Sequence, residues 1–226
     1  MRRVLIGTPA YDFRVDVRYA HSLLMTLRLC IDRGVDLRWL FQPGDAIIQN
    51  ARNELVRDAL AFGFDDLIFI DSDQDWEPEW VLRLLSHPVD CVGAAVRKKT
   101  DEREMYNVKA KGGVASLVRD QGTGLITAPD MALGTGFIRF SRKALQALWD
   151  DAPKYKFSSN QPTQTAWIFD IRPVNGELVS EDTYVSDKLR ALGIQTWLDP
   201  TMNGGHIGLK RYAGDFTAWL AKERMP

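Results

Sequence analysis

The chain has 226 residues, 45% of them hydrophobic and 26% charged, with 29 basic against 30 acidic side chains and a formal net charge of −1. That balance excludes a disordered segment, and two cysteines in so long a chain exclude a disulfide scaffold. It lacks the basic excess of a protein that grips a nucleic-acid backbone, and no apolar run approaches the ~20 residues that span a bilayer.

Met1-Arg2-Arg3 is followed by an apolar stretch too short for a signal peptide, so the expected location is the cytoplasm. Val4-Leu5-Ile6 reads as a buried strand closed by Gly7-Thr8-Pro9. Ala20, Leu23, Leu24, Leu27 and Ile31 recur at helical spacing over 17–33, stopped by Gly34. A strand over 35–41, a turn at Pro43-Gly44-Asp45 and a helix over 46–62 follow. Leu67 to Ile70 is a compact buried strand running straight into Asp71-Ser72-Asp73, and a helix over 79–85 and a strand over 91–96 complete the first hundred residues. The order β-α-β-α-β-α-β predicts a mostly parallel sheet flanked by helices.

Beyond residue 97 the pattern is less regular. Short strands are expected at 116–118 and 125–127, and a longer one over 131–140 interrupted by Gly134-Thr135-Gly136. Ser141 caps a helix reaching Trp149, and 151–180, marked by Pro153, Pro162 and Pro173, reads as a loop or hairpin. Ser180 caps a helix to Leu192, a strand covers 194–198, and Asp215 opens a last helix. The basic run Arg97, Lys98, Lys99, Arg103, Lys109 and Lys111 reads as a solvated loop or as a local anion patch.

Five short motifs bear on chemistry. Asp71 and Asp73 stand at the carboxyl end of a buried strand, where ligands bind in open α/β sheets. Their oxygens suit a divalent cation, and they equally suit an Asp-rich turn. Ser180-Glu181-Asp182 reads as helix capping or as the source of a general base. His206, inside Asn203-Gly204-Gly205-His206-Ile207-Gly208, has small neighbours that admit a ligand. Gly134 and Gly136 mark a bulge or the close approach of another group. Asn50-Ala51-Arg52-Asn53 opens a helix, either solvating it or offering Arg52 to a phosphate. Phosphate-binding Gly-Lys loops, the dinucleotide-binding glycine fingerprint and the nucleophile elbow are absent from the sequence.

Taken in order, these motifs resemble nucleotide-sugar-dependent glycosyltransferases of the GT-A fold, from Val4 to about Leu209. The resemblance implies one α/β, Rossmann-like domain over 1–226, with a nucleotide-binding half (1–97) and an acceptor-side half (98–226) that holds a small antiparallel portion. It implies a metal-dependent transfer from a nucleotide sugar, a UDP-sugar being expected, to a hydroxyl acceptor with inversion. Asp71, Asp73 and His206 would hold Mn²⁺ or Mg²⁺. Thr8, Pro9, Asn50, Arg52, Asp71, Gly134 and Gly136 would line the donor. Asp182 would be the base and Glu181 its support. The acceptor would be a glycan, a small molecule, a protein or a modified DNA base, in a bacterial or phage setting. The alternative is a non-catalytic nucleotide-sugar-binding module.

Overall fold

The computed structural model describes residues 1–156 and 163–224, so Pro162 lies outside the described residues. In its first part, β1 (Arg3–Ala10), α1 (Val17–Asp32), β2 (Asp36–Pro43), α2 (Ile48–Ala61), β3 (Asp66–Ile70), β4 (Gln74–Asp75), α3 (Glu79–Ser86) and β5 (Cys91–Ala94) follow the expected alternation. The addition is β4, a two-residue strand directly after Asp71-Ser72-Asp73. Short strands β6 (Val108–Lys109), β7 (Val118–Arg119), β8 (Ile126–Thr127) and β9 (Ala132–Leu133) lead to β10 (Phe137–Ser141) and α4 (Arg142–Asp151). Then come β11 (Lys154–Tyr155), β12 (Thr165–Ala166), a hairpin of β13 (Arg172–Val174) and β14 (Glu177–Val179), and α5 (Glu181–Ala191). The end is built from β15 (Thr196–Asp199), β16 (Gly205–Ile207), β17 (Arg211–Tyr212) and α6 (Phe216–Glu223).

Eight strands form one sheet in the order β2-β1-β3-β10-β5-β15-β8-β7. The β1–β2, β1–β3 and β5–β15 pairs are parallel, while β10 runs antiparallel between β3 and β5. The β15–β8 and β8–β7 pairs are also antiparallel, so the sheet is mixed; it is mostly parallel in that every strand but β10 and β8 points the same way, as the alternation predicts. Its central strands β1, β3, β5 and β10 are buried along nearly their whole length because both faces are covered. In β1, Leu5 joins one apolar cluster while Val4 and Ile6 join the other. In β3, Leu67 and Phe69 face the first and Ile68 and Ile70 the second. This is the two-residue period of a strand between two helical layers. The first layer includes α2, α4 and α5 through Leu55, Leu145 and Leu189; the second includes α1 and α3 through Leu23 and Leu84.

The capping expectations divide. Ser141 Oγ accepts from the Ala144 amide and Asp215 from the Ala218 amide. Ser180 occupies the N-cap of α5 without a side-chain cap bond; its hydroxyl is engaged instead by Lys109 and Thr183.

Candidate active site

Because β10 runs antiparallel, its first residue, Phe137, pairs with Ile70, the last residue of β3. The Gly134-Thr135-Gly136 segment thus arrives at the sheet edge where Asp71 emerges, and the Asp71 amide donates to the Gly136 carbonyl at 2.9 Å. The glycines are there for proximity. A Cβ on Gly136 would lie 2.7 Å from Asp71 Oδ2 and 2.4 Å from Gln74 Nε2, and one on Gly134 would lie 2.2 Å from Asn107 Nδ2.

Asp71 is held by Arg52, whose guanidinium donates to Asp71 Oδ1 at 3.0 Å and to the Thr135 carbonyl at 3.2 Å. Arg52 is 3% exposed and stacks over the Phe69 ring at 5.2 Å. Its Nε is buried without a partner. The first turns of α2 do not merely solvate a helix: Asn50, Ala51, Arg52 and Asn53 are all buried. Asn53 Oδ1 accepts from the Ile168 and Phe169 amides, and Asn50 bonds Asp45 and Tyr155. Thr8 is fully buried, its hydroxyl 2.5 Å from that of Tyr19.

Asp73 turns the other way. Its carboxylate meets the Lys99 ammonium and lies 3.5 Å from His206 Nε2. His206 reaches it because β16 pairs with β4, placing His206 opposite Gln74, while the Ile207 amide donates to the Asp73 carbonyl. His206 Nδ1 sits 2.9 Å from the Arg97 carbonyl, which can only accept. The neutral ring therefore presents the lone pair of Nε2 to Asp73 Oδ1, a buried oxygen with no hydrogen-bond partner. Two acceptors facing one another call for a cation between them, either a proton on the ring or a metal ion. A histidine whose second nitrogen donates to a backbone carbonyl is the usual form of a metal ligand. Burial alone would raise the Asp73 pKa; with the ring in its cationic form, hydrogen bonds and charge from His206 and Lys99 outweigh it and hold the carboxyl below its ordinary value. Among the described residues no three His, Cys, Asp or Glu side chains converge as a metal cluster: Asp73 and His206 come together and Asp71, tied to Arg52, stays apart.

Glu181 and Asp182 open α5 against the same edge. Asp182 Oδ1 accepts from the Thr135 amide at 2.9 Å and from its hydroxyl at 2.6 Å. Glu181 is pushed above the ordinary carboxylate range, first by burial and then by the neighbouring Asp182.

Two cavities flank these residues. One, of about 520 Å³, is bordered by Pro9, Tyr11, Ile48, Arg52, Asp71, Asp73 and Glu181. The other, of about 420 Å³, is bordered by Lys99, Asn107, Gly134, Asp182 and His206. Thr8, Asn50 and Gly136 border neither; Asn50 and Gly136 bond Asp45 and Asp71, which border the first, while Thr8 bonds Tyr19 in the core. Sequence reasoning names none of Lys99, Tyr11 and Thr135 as a site residue, although Lys99 stands in the basic run and Thr135 within Gly134-Thr135-Gly136.

No protein-family model matches the chain, and no curated protein matches it. Solved structures share general similarity. The chain is similar to a glycosyltransferase involved in the glycosylation of the major capsid of PBCV-1, at 12% identity over 68% of this chain and 70% of that one, with a TM-score of 0.35. It is similar to a protein described as a nucleotide-diphospho-sugar transferase from Desulfovibrio desulfuricans, at 13% identity over 88% and 80%, with a TM-score of 0.43. It is also similar to a mannose-1-phosphate geranyltransferase from Thermus thermophilus, at 13% identity over 68% and 66%, with a TM-score of 0.40. At such scores the site stands on its own geometry.

Proposed function

We propose that the protein is a metal-dependent glycosyltransferase that moves a sugar from a nucleotide sugar, a UDP-sugar first among candidates, to a hydroxyl acceptor with inversion. One observation carries this reading: the two cavities share a wall made of two adjacent pairs. Asp73 and Glu181 border one cavity; His206, beside Asp73, and Asp182, next in chain to Glu181, border the other. A transferase needs two substrates meeting across such a wall.

The donor nucleotide belongs in the larger cavity, against Pro9, Tyr11 and Ile48, with Asp71 positioned by Arg52 for a ribose hydroxyl. Apart from Glu181, the residues bordering that cavity precede residue 97, and those bordering the acceptor cavity follow it, which supports the division into a nucleotide half and an acceptor half. Asp73 and His206 would hold Mn²⁺ or Mg²⁺; the imidazole nitrogen favours Mn²⁺. Such an ion supplies Lewis-acid neutralisation of the charge that grows on the departing diphosphate. Lys99 must leave Asp73 as the ion enters. Asp182, its Oδ1 fixed by Thr135, has Oδ2 to take the acceptor's hydroxyl proton during attack on the face of the anomeric carbon opposite the diphosphate. Glu181, on the donor side, orients the sugar.

The test is a thermal-shift panel of UDP-, GDP-, CMP- and dTDP-sugars with and without Mn²⁺. The matching donor, at 100 times its dissociation constant, should add about 2.7 kcal/mol of stability. Asp73→Asn should lose the Mn²⁺-dependent part of that shift. Failure of every nucleotide sugar to shift the protein would overturn the reading.

A further inference from the structure

The acceptor cavity has an unbalanced charge. Lys98, Lys99 and Lys109 border it, against one carboxylate, Asp182. Lys99 is compensated by Asp73 as long as no metal ion displaces it. Lys98 has no side-chain partner among the described residues. Among the described residues, Lys109 Nζ donates only to the hydroxyls of Ser180 and Thr183, both at 3.3 Å, and meets no carboxylate. Two lysines bordering one concavity without counter-charge raise its potential and draw in an anion.

The backbone holds these groups in register. The Lys98 amide donates to the Met105 carbonyl and the Asn107 amide to the Val96 carbonyl, so 96–98 and 105–107 run as an antiparallel pair. Asn107 and Lys109, two residues apart on an extended segment, share a face. Gly134 leaves the space that the Asn107 amide fills, as any Cβ there would collide with it. Asn107 Oδ1 is itself buried and unpartnered. A neutral glycan acceptor would leave both lysines without purpose.

We propose that the acceptor is a hydroxyl compound bearing a phosphate group, its phosphate held by Lys98 and Lys109 while its hydroxyl reaches Asp182; this rests on the glycosyltransferase reading. In the transfer, the bond between the anomeric carbon and the diphosphate oxygen breaks and the bond from the acceptor oxygen to that carbon forms. The acceptor proton passes to Asp182, and the acceptor's phosphate is unchanged.

The experiment measures binding of glycerol, inorganic phosphate, glycerol 3-phosphate and hexanoyl lysophosphatidate to the full chain by calorimetry, with UDP and Mn²⁺ present to fill the donor side. Phosphate and glycerol 3-phosphate should bind where glycerol does not, and Lys98→Gln/Lys109→Gln should weaken both at least ~10-fold. Added salt should weaken them too, since charges open to solvent are screened. Tighter binding of the lysophosphatidate assigns a lipid phosphate, and equal binding a free one. No phosphate binding, or binding indifferent to the double substitution, overturns the proposal. Nucleotide binding, read separately in the same protein, reports on the transferase reading: its loss with lysine-dependent phosphate binding intact would sink that reading alone.

Discussion

Thr135 donates two hydrogen bonds to a single oxygen of Asp182, from its amide at 2.9 Å and from its hydroxyl at 2.6 Å. This joins the glycine-flanked segment before β10 to the first turn of α5, 47 residues later. It leaves the carboxylate with one committed oxygen and one oxygen for chemistry. A general base, the role proposed for Asp182, must be held in place as well as be basic, and Thr135 would do the holding.

Asp182→Asn tests that role. The amide oxygen still accepts from Thr135 and the size is kept, so the melting temperature should stay near that of the parent. Transfer should fall by ~10² or more, the usual range for a lost general base, with donor affinity unchanged within a few-fold. Parallel loss of donor binding and turnover would move Asp182 to the donor side.

Glu181 is disfavoured as an anion in the folded protein. Its folded pKa is raised by burial and by Asp182, so the folded state holds its proton more tightly than the unfolded state does. Ionisation then costs stability at neutral pH, and the cost disappears in acid once both states are protonated. Glu181→Gln should raise the melting temperature at pH 7 and give no gain near pH 3, read by scanning calorimetry at both values. An equal gain at both would assign the effect to packing.

Gly136→Ala places a methyl group 2.7 Å from Asp71 Oδ2 and 2.4 Å from the buried Gln74 amide. Overpacking of this kind costs about 1–3 kcal/mol. Nucleotide binding should weaken more than stability alone explains, because Asp71 is what moves. Urea unfolding and nucleotide titration on the same variant separate the two effects; unchanged nucleotide affinity would release Asp71 from the donor site.

Asp199 is a structural counterpart. Its side chain is 1% exposed and is bonded by Arg83, by Thr201 through amide and hydroxyl, and by His87 Nε2 at 2.9 Å. Burial opposes ionisation, but these partners, Arg83 foremost, lower the pKa below the ordinary aspartate value. The stabilisation is present above the unfolded aspartate pKa of about 3.9 and is lost as pH falls through the lower folded value. Asp199→Asn should cost about 1–3 kcal/mol at pH 7, and the gap from the parent should narrow below about pH 4. A gap independent of pH in denaturant unfolding would contradict this account.

The fold is legible in sequence wherever one period dominates. Leu67 to Ile70 can be read because a buried strand leaves a strong apolar pattern, whereas α1 lies where the run from Ala20 to Ile31 puts it but buries another face: Leu24 and Ile31 are exposed, and Tyr19, Ser22, Leu23, Thr26 and Cys30 pack inward. The β4–β16–β17 sheet is not legible. Gln74-Asp75 is two residues long, and Gly205-His206-Ile207 has no alternation to detect. Yet that small sheet is what brings His206 to Asp73. The site residues themselves are visible as motifs, but their pairing is not. Asp71 and Asp73 look equivalent in sequence, while the strand end turns one toward Arg52 and the other toward Lys99 and His206. Thr8 and Asn50 sit in the right places along the chain but spend their polar groups on Tyr19, Asp45 and Tyr155.

The position of β10 has a consequence for how the molecule comes to exist. It lies between β3 and β5, and it bonds both, but it is made some forty residues after β5. During synthesis, β3 and β5 have no partner across this gap until residue 141 has emerged, so each shows a bare edge of the kind that invites association with other chains. The segments on either side of residue 97 are for that reason not two foldable pieces. A fragment cut at residue 97 carries Asp71 and Arg52 on a sheet with its middle missing, and should be recovered as aggregate rather than as a nucleotide-binding half.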